Sequence, residues 1–87
     1  MNKKIKDNLT KELKNKTILV TGGAGSVGSV LVKKILEFPV KTVRVLDIDE
    51  HALFKLNRSI NDKRLRLLLG SITDKERIEM AGHNVDI

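Results

Sequence analysis

Gly22, Gly25 and Gly28 recur at every third position, directly after the apolar run Thr17-Ile18-Leu19-Val20. A helix-like pattern begins at Ser26 or Val27. A G-x-x-G-x-x-G spacing between a strand and a helix is the turn that cradles phosphates in a dinucleotide-binding βαβ unit. Each glycine has its own expected task. Gly22 permits a tight bend straight out of the strand. Gly25 lets the backbone approach a pyrophosphate with no Cβ in the way. Gly28 allows the helix to pack closely. Backbone N–H groups around Gly25, Ser26 and Val27 then point at phosphate from the positive end of the helix, and the Ser26 hydroxyl adds a donor. Thr21 is expected to fix the turn by local hydrogen bonding.

The rest of the chain supplies the frame for such a turn. Ile5, Leu9 and Leu13 recur every four residues among Lys and Glu, which predicts a lead-in helix or tail over 1–16 with one narrow apolar stripe. Residues 17–21 form the first strand. Its continuous apolar run suits a parallel strand buried on both faces. A first crossover helix is expected from Ser26 to Phe38, with Val27, Val30, Leu31, Ile35 and Phe38 on its inner face and Lys33, Lys34 and Glu37 outside. Pro39 stops it. Thr42 to Leu46 reads as the second strand. Asp49 caps a helix from Glu50 to about Ile60, with Leu53, Leu56 and Ile60 inward. Leu65 to Leu69 is the third strand, closed by Gly70. Thr73 or Asp74 caps a third crossover helix that carries Ile78 inward and stops at Gly82. Val85-Asp86-Ile87 reads as the start of a fourth strand. Strands alternating with helices imply a parallel sheet with right-handed crossovers. The predicted fold is the N-terminal part of a Rossmann, doubly wound α/β fold, spanning 17–87.

With 87 residues the chain holds one small domain. A domain of this size buries about 60–65% of its unfolded surface, so its stability is marginal. No apolar run approaches the roughly 18 residues of a membrane span. The basic start, Met1 to Asp7, has no apolar stretch of the kind a secretory signal needs, and a cytoplasmic protein is expected. The absence of cysteine excludes disulfides and thiolate metal sites. The net charge of +6 raises nucleic acid as a partner. The lysines are interleaved with acids, however, and there is no Trp or Tyr to stack on bases, so the charge reads as a solvated surface that tolerates an anionic cofactor. His51 and His83 are isolated from one another and make neither a metal site nor a catalytic group.

The second strand ends in Asp47, close to the spacing of about 20 residues beyond the last glycine at which a carboxylate accepts hydrogen bonds from ribose hydroxyls. The same carboxylate repels the 2′-phosphate of NADP, and the next residue is Ile48 rather than an arginine. The expected cofactor is NAD, with NADP disfavoured.

The segment Lys16 to Gly28 resembles the start of an extended short-chain dehydrogenase/reductase, whose Thr-Gly-x-x-Gly-x-x-Gly is met at Thr21, Gly22, Gly25 and Gly28. Within that group, Leu46-Asp47-Ile48-Asp49-Glu50-His51-Ala52-Leu53 resembles the CapD-like nucleotide-sugar 4,6-dehydratases of polysaccharide biosynthesis, lyases that act on UDP-N-acetylglucosamine-type substrates. The resemblance implies an NAD site with Gly22, Gly25, Ser26, Val27, Gly28 and Asp47 in it. It also implies an adenine contact after the third strand, where the family's Gly-Asp is Gly70-Ser71 here. Ser71 still offers a hydrogen bond, weaker and less directed than an aspartate's. The family's Tyr-x-x-x-Lys catalytic motif lies beyond the region of likeness, and the chain has no Tyr. No catalytic residue is therefore assigned, and a nucleotide-sugar substrate is implied only for a full-length relative.

Two classes of function remain open at this stage. One is the cofactor-binding front portion of a nucleotide-sugar dehydratase or epimerase. The other is a catalytically inactive module whose open sheet edge pairs with a second copy or with a separately made C-terminal portion. A gene remnant without function is a further alternative.

Overall fold

A computed structural model describes residues 2–87. Helix α1 (Lys3–Leu13) leads in, capped by Asn2, whose side-chain oxygen accepts from the Lys4 N–H. Then follow β1 (Thr17–Thr21), α2 (Ser26–Ile35), β2 (Thr42–Asp47), α3 (Glu50–Ser59), β3 (Leu65–Leu69) and α4 (Lys75–Ala81). The three strands form one parallel sheet in the order β1-β2-β3. This is the predicted α/β architecture. Asp49 and Asp74 act as the N-caps of α3 and α4, accepting from the N–H groups of Ala52 and Arg77. Gly82 ends α4 without entering the left-handed region; that conformation falls to Asn84 two residues later.

Side chains alternate across a strand, so the sheet has two distinct faces. Ile18 and Val20, Val43 and Val45, and Leu65 point to one face. There they meet Val32 and Leu36 from α2 and its following turn, and Leu53 and Leu56 from α3. Leu9 and Leu13 of α1 pack on the margin of the same cluster. The opposite face carries Arg44, Leu46, Arg66 and Leu68, and α4 lies against it. The Arg44 guanidinium donates to the Ala81 and His83 carbonyls at the end of that helix. Helices thus cover both sides of the sheet.

The last residues add the beginning of another pairing. The Thr17 carbonyl accepts from the Asp86 and Ile87 N–H groups, and the Leu19 N–H donates to the Ile87 carbonyl at 2.9 Å. These bonds run along the edge of β1 that β2 does not use. The chain thereby passes from β3 across to the far side of β1. In doubly wound sheets, ligands bind outside the carboxyl ends of the strands where the order reverses in this way.

The inner face of α2 differs from expectation. Val27, Val30 and Leu31 are exposed, at 84%, 58% and 51%, while Val32 is fully buried and Leu36 nearly so. The helix also ends at Ile35, and Phe38 reaches the core from the turn that follows. The physical reason is Gly28. A Cβ there would lie 2.5 Å from the Gly22 carbonyl oxygen and 2.7 Å from the Gly23 Cα. The helix therefore approaches the strand–helix turn through a residue with no side chain. With 3.6 residues per turn, the face centred on Gly28 continues through Val32 and Ile35 to Leu36.

Candidate dinucleotide site

The first strand delivers the chain to Gly22 at the carboxyl end of the sheet. Gly22 has φ +67°, a conformation that side chains disfavour, and its N–H donates to the Leu46 carbonyl at 2.8 Å. The chain then folds over Gly23. A Cβ on Gly23 would meet Val45 Cγ1 at 2.8 Å and Val20 Cγ1 at 3.1 Å, so this glycine is required by the core beneath it. Gly23 lies outside the Gly22-Gly25-Gly28 spacing, and its tightest neighbour, Val45, comes from another strand. The turn closes with the Gly25 N–H donating to the Gly22 carbonyl, and Gly25 becomes the N-cap of α2.

Gly25 is unlike the other glycines of the turn. Its φ of −70° and ψ of 173° suit any residue, and an added Cβ would make only an ordinary 3.6 Å contact. The residue is exposed, and it supplies no side-chain cap to a helix whose first turn holds no acidic residue. Ser26 and Val27 form the first turn of α2, with both side chains exposed. The positive end of this helix dipole therefore faces solvent with Gly25 in front of it.

Asp47 ends β2 beside the turn. Its Oδ2 accepts from the Ala24 N–H at 3.1 Å and its Oδ1 from the Asp49 N–H at 3.0 Å. One carboxylate thus ties the glycine turn to the start of α3. Each carboxylate oxygen keeps further acceptor capacity, because an ionised carboxylate accepts about four hydrogen bonds. Thr21 was expected to hold the turn through local bonding. The turn is held instead by the Gly22 and Gly25 N–H groups and by Asp47, and Thr21 lines a cavity of about 310 Å³ between the strand ends.

That cavity is shared by Asp47 and Ser71, and Ile48 and Ile72 border it with 71% and 65% of their surfaces exposed. Neither isoleucine is among the site residues expected from the sequence. The usable signal was an apolar residue placed directly after each of two strand-end polar residues, where solvent-facing loops carry polar side chains. The Ser71 hydroxyl is 2.8 Å from that of Thr73 and accepts from the Thr73 N–H at 3.1 Å. His51 and His83 are both exposed. Among the described residues, no group of three or more His, Cys, Asp or Glu side chains is placed to hold a metal ion. None of the helices described is long and apolar enough to cross a membrane.

A parallel sheet with helices on both faces and a glycine turn at its carboxyl end defines the front part of a Rossmann-type domain. Residues 18–87 match the family described as polysaccharide biosynthesis protein, and the chain belongs to that family. It is 35% identical over 72 residues to a UDP-N-acetylglucosamine 4,6-dehydratase (inverting) of Campylobacter jejuni, a match covering 82% of this chain and 22% of that enzyme. It is 50% identical over 74 residues to an uncharacterized membrane protein of Methanocaldococcus jannaschii, covering 85% of this chain and 22% of the relative. Among solved structures, the Bordetella bronchiseptica enzyme WbmF in complex with NAD+ superposes with a TM-score of 0.68 at 32% identity, covering 86% of this chain and 22% of WbmF. The chain spans about a fifth of the length of these relatives.

Proposed function

We propose that this chain holds the adenosine and pyrophosphate part of NAD for a nucleotide-sugar dehydratase or epimerase of polysaccharide biosynthesis. The observation that carries this reading is Gly25. Gly22 is required by its backbone conformation, and Gly23 and Gly28 by their packing. Nothing in the fold requires a glycine at position 25, yet the cap of α2 is left bare, where a side chain would stand in the way of an anion approaching the helix N-terminus. A phosphate group is the ligand whose needs account for it.

The residues fit the rest of the cofactor. The Gly25 N–H is taken by the Gly22 carbonyl, so the backbone N–H groups at Ser26 and Val27 face the pyrophosphate, and the Ser26 hydroxyl supplements them. Asp47, held by two backbone N–H groups, accepts from the ribose hydroxyls and repels a 2′-phosphate, which favours NAD over NADP. Ser71 sits at the base. Bound NAD supplies reversible hydride acceptance, and this chain's residues bind and orient it. The NAD+ complex of WbmF and the dehydratase named above support the cofactor and the substrate class.

Isothermal titration of the full chain with NAD and with NADP tests the proposal. Saturable binding of NAD, tighter than that of NADP by about tenfold, is the expected result, since one unfavourable charge contact costs on the order of 1–2 kcal/mol. Absence of NAD binding at millimolar concentration removes the reading.

A further inference from the structure

Position 71 bears on which base the site reads, an inference that rests on the proposed dinucleotide reading. Ser71 and Asp47 line the same cavity, so a base attached to the ribose at Asp47 extends toward Ser71. Ile48 and Ile72 offer apolar surface to the faces of a flat ring but carry no information about its edge. The edge is left to the Ser71 hydroxyl, next to Ile72 in that lining, with Thr73 behind it. The Ser71 and Thr73 hydroxyls lie 2.8 Å apart, and either can be the donor. The Thr73 N–H also donates to Ser71 Oγ, which anchors the pair in place.

This arrangement has two states of equal geometry. When the Thr73 hydroxyl donates to Ser71, the Ser71 proton is free to point at the ligand and meets an acceptor. When Ser71 donates to Thr73, its oxygen keeps a lone pair for the ligand and meets a donor. A carboxylate at this position would accept only. It would satisfy the amino group of adenine and repel the carbonyl oxygen of a 6-oxopurine. We infer that Ser71, paired with Thr73, makes base recognition degenerate, so that the site takes dinucleotides carrying 6-aminopurine and 6-oxopurine alike.

The test is a pair of titrations of the full chain with NAD and with nicotinamide hypoxanthine dinucleotide. The two dissociation constants are expected to agree within about threefold, because each base finds one neutral hydrogen bond. In a Ser71→Asp variant the ratio moves toward NAD by about tenfold or more, the penalty of facing a carbonyl oxygen with a carboxylate. Aspartate also accepts from the N–H two residues on, so the local turn is retained. Circular dichroism reports whether the variant folds. If it does not fold, the ratio measured on the unaltered chain decides alone. NAD binding more than tenfold tighter than the hypoxanthine analogue by the unaltered chain overturns the inference and leaves the cofactor site standing. A folded Ser71→Asp variant with an unchanged ratio also overturns it. Binding of neither dinucleotide removes the proposed function, and this inference with it.

Discussion

The two ends of the sheet are built differently. At the amino end, charged and polar side chains are spent on the chain itself. The Arg64 guanidinium donates to both carboxylate oxygens of Asp62 at 2.9–3.1 Å, to the Leu36 carbonyl at 2.6 Å and to the Phe38 carbonyl at 2.8 Å. It thereby joins the entry to β3 with the turn after α2. Asp86 accepts from the Thr17 N–H at 2.8 Å, and the Asn15 N–H donates to the Pro39 carbonyl. At the carboxyl end, the helix cap is bare at Gly25, Ile48 and Ile72 are exposed, and Asp47 and Ser71 keep capacity beyond their internal bonds. One end closes on itself, and the other is left open to something outside the chain. Substitutions at the two ends should therefore separate stability from binding.

The largest effect belongs where the two requirements coincide. Gly28→Val forces a side chain into the Gly22–Gly23 backbone, which cannot yield as a flexible side chain would. We expect a loss of about 3 kcal/mol in urea unfolding, enough to unfold much of so small a domain, and no NAD binding. A folded Gly28→Val variant with intact affinity would break the account of the turn. Next is Asp47→Ala. It frees the Ala24 and Asp49 N–H groups to solvent and removes the proposed ribose acceptor. NAD affinity is expected to fall about tenfold or more, with a stability loss near 1 kcal/mol. Calorimetry alongside thermal unfolding separates the two.

At the amino end, Arg64→Ala removes one ion pair and two bonds to backbone carbonyls. The pair is about one-third exposed, so solvent screening limits the loss to about 1–2 kcal/mol. NAD affinity of the folded fraction should not change. The smallest effect is on acid stability. The Arg64 side chain, then its backbone N–H, hold the Asp62 carboxyl below its ordinary value of about 3.8. A carboxylate lowered in the folded state adds stability above its unfolded pKa, and that stability is lost as pH falls through the folded value. The unaltered chain should therefore lose this increment only below about pH 4, and Asp62→Asn should flatten that part of the pH dependence. An unchanged profile would contradict the pairing.

The strand and helix order could be read from the sequence because each element carries its own period and its own stop. Asp49 and Asp74 announce helix starts, and Gly70 closes β3, whereas α2 stops at Ile35, before Pro39 can end it. Residues whose partners are local were legible too, such as the tight bend at Gly22. What failed was the inner face of α2. Its apolar pattern points through Val27, Val30 and Leu31, whereas the contact is centred on Gly28, a position that contributes no hydrophobic signal. Gly23 was silent for a related reason, since the Val45 methyl that excludes a Cβ comes from the next strand. At the carboxyl end, spacing alone places Gly25 at the start of α2 and Asp47 at the end of β2. The Asp47 bond to Ala24 and the Ser71–Thr73 pair depend on how separate turns meet, and that is set by the sheet.

Gly25 gives the sharpest separation of fold from ligand. Aspartate is among the best N-cap residues, suits the extended conformation at this position, and favours the positive end of α2. For Gly25→Asp the account predicts unchanged or higher stability, by up to about 1 kcal/mol in urea unfolding, together with loss of NAD binding by at least roughly a hundredfold as the new carboxylate meets the pyrophosphate. A stable Gly25→Asp variant that binds NAD as tightly as the unaltered chain would contradict the assignment of this turn as a phosphate cradle.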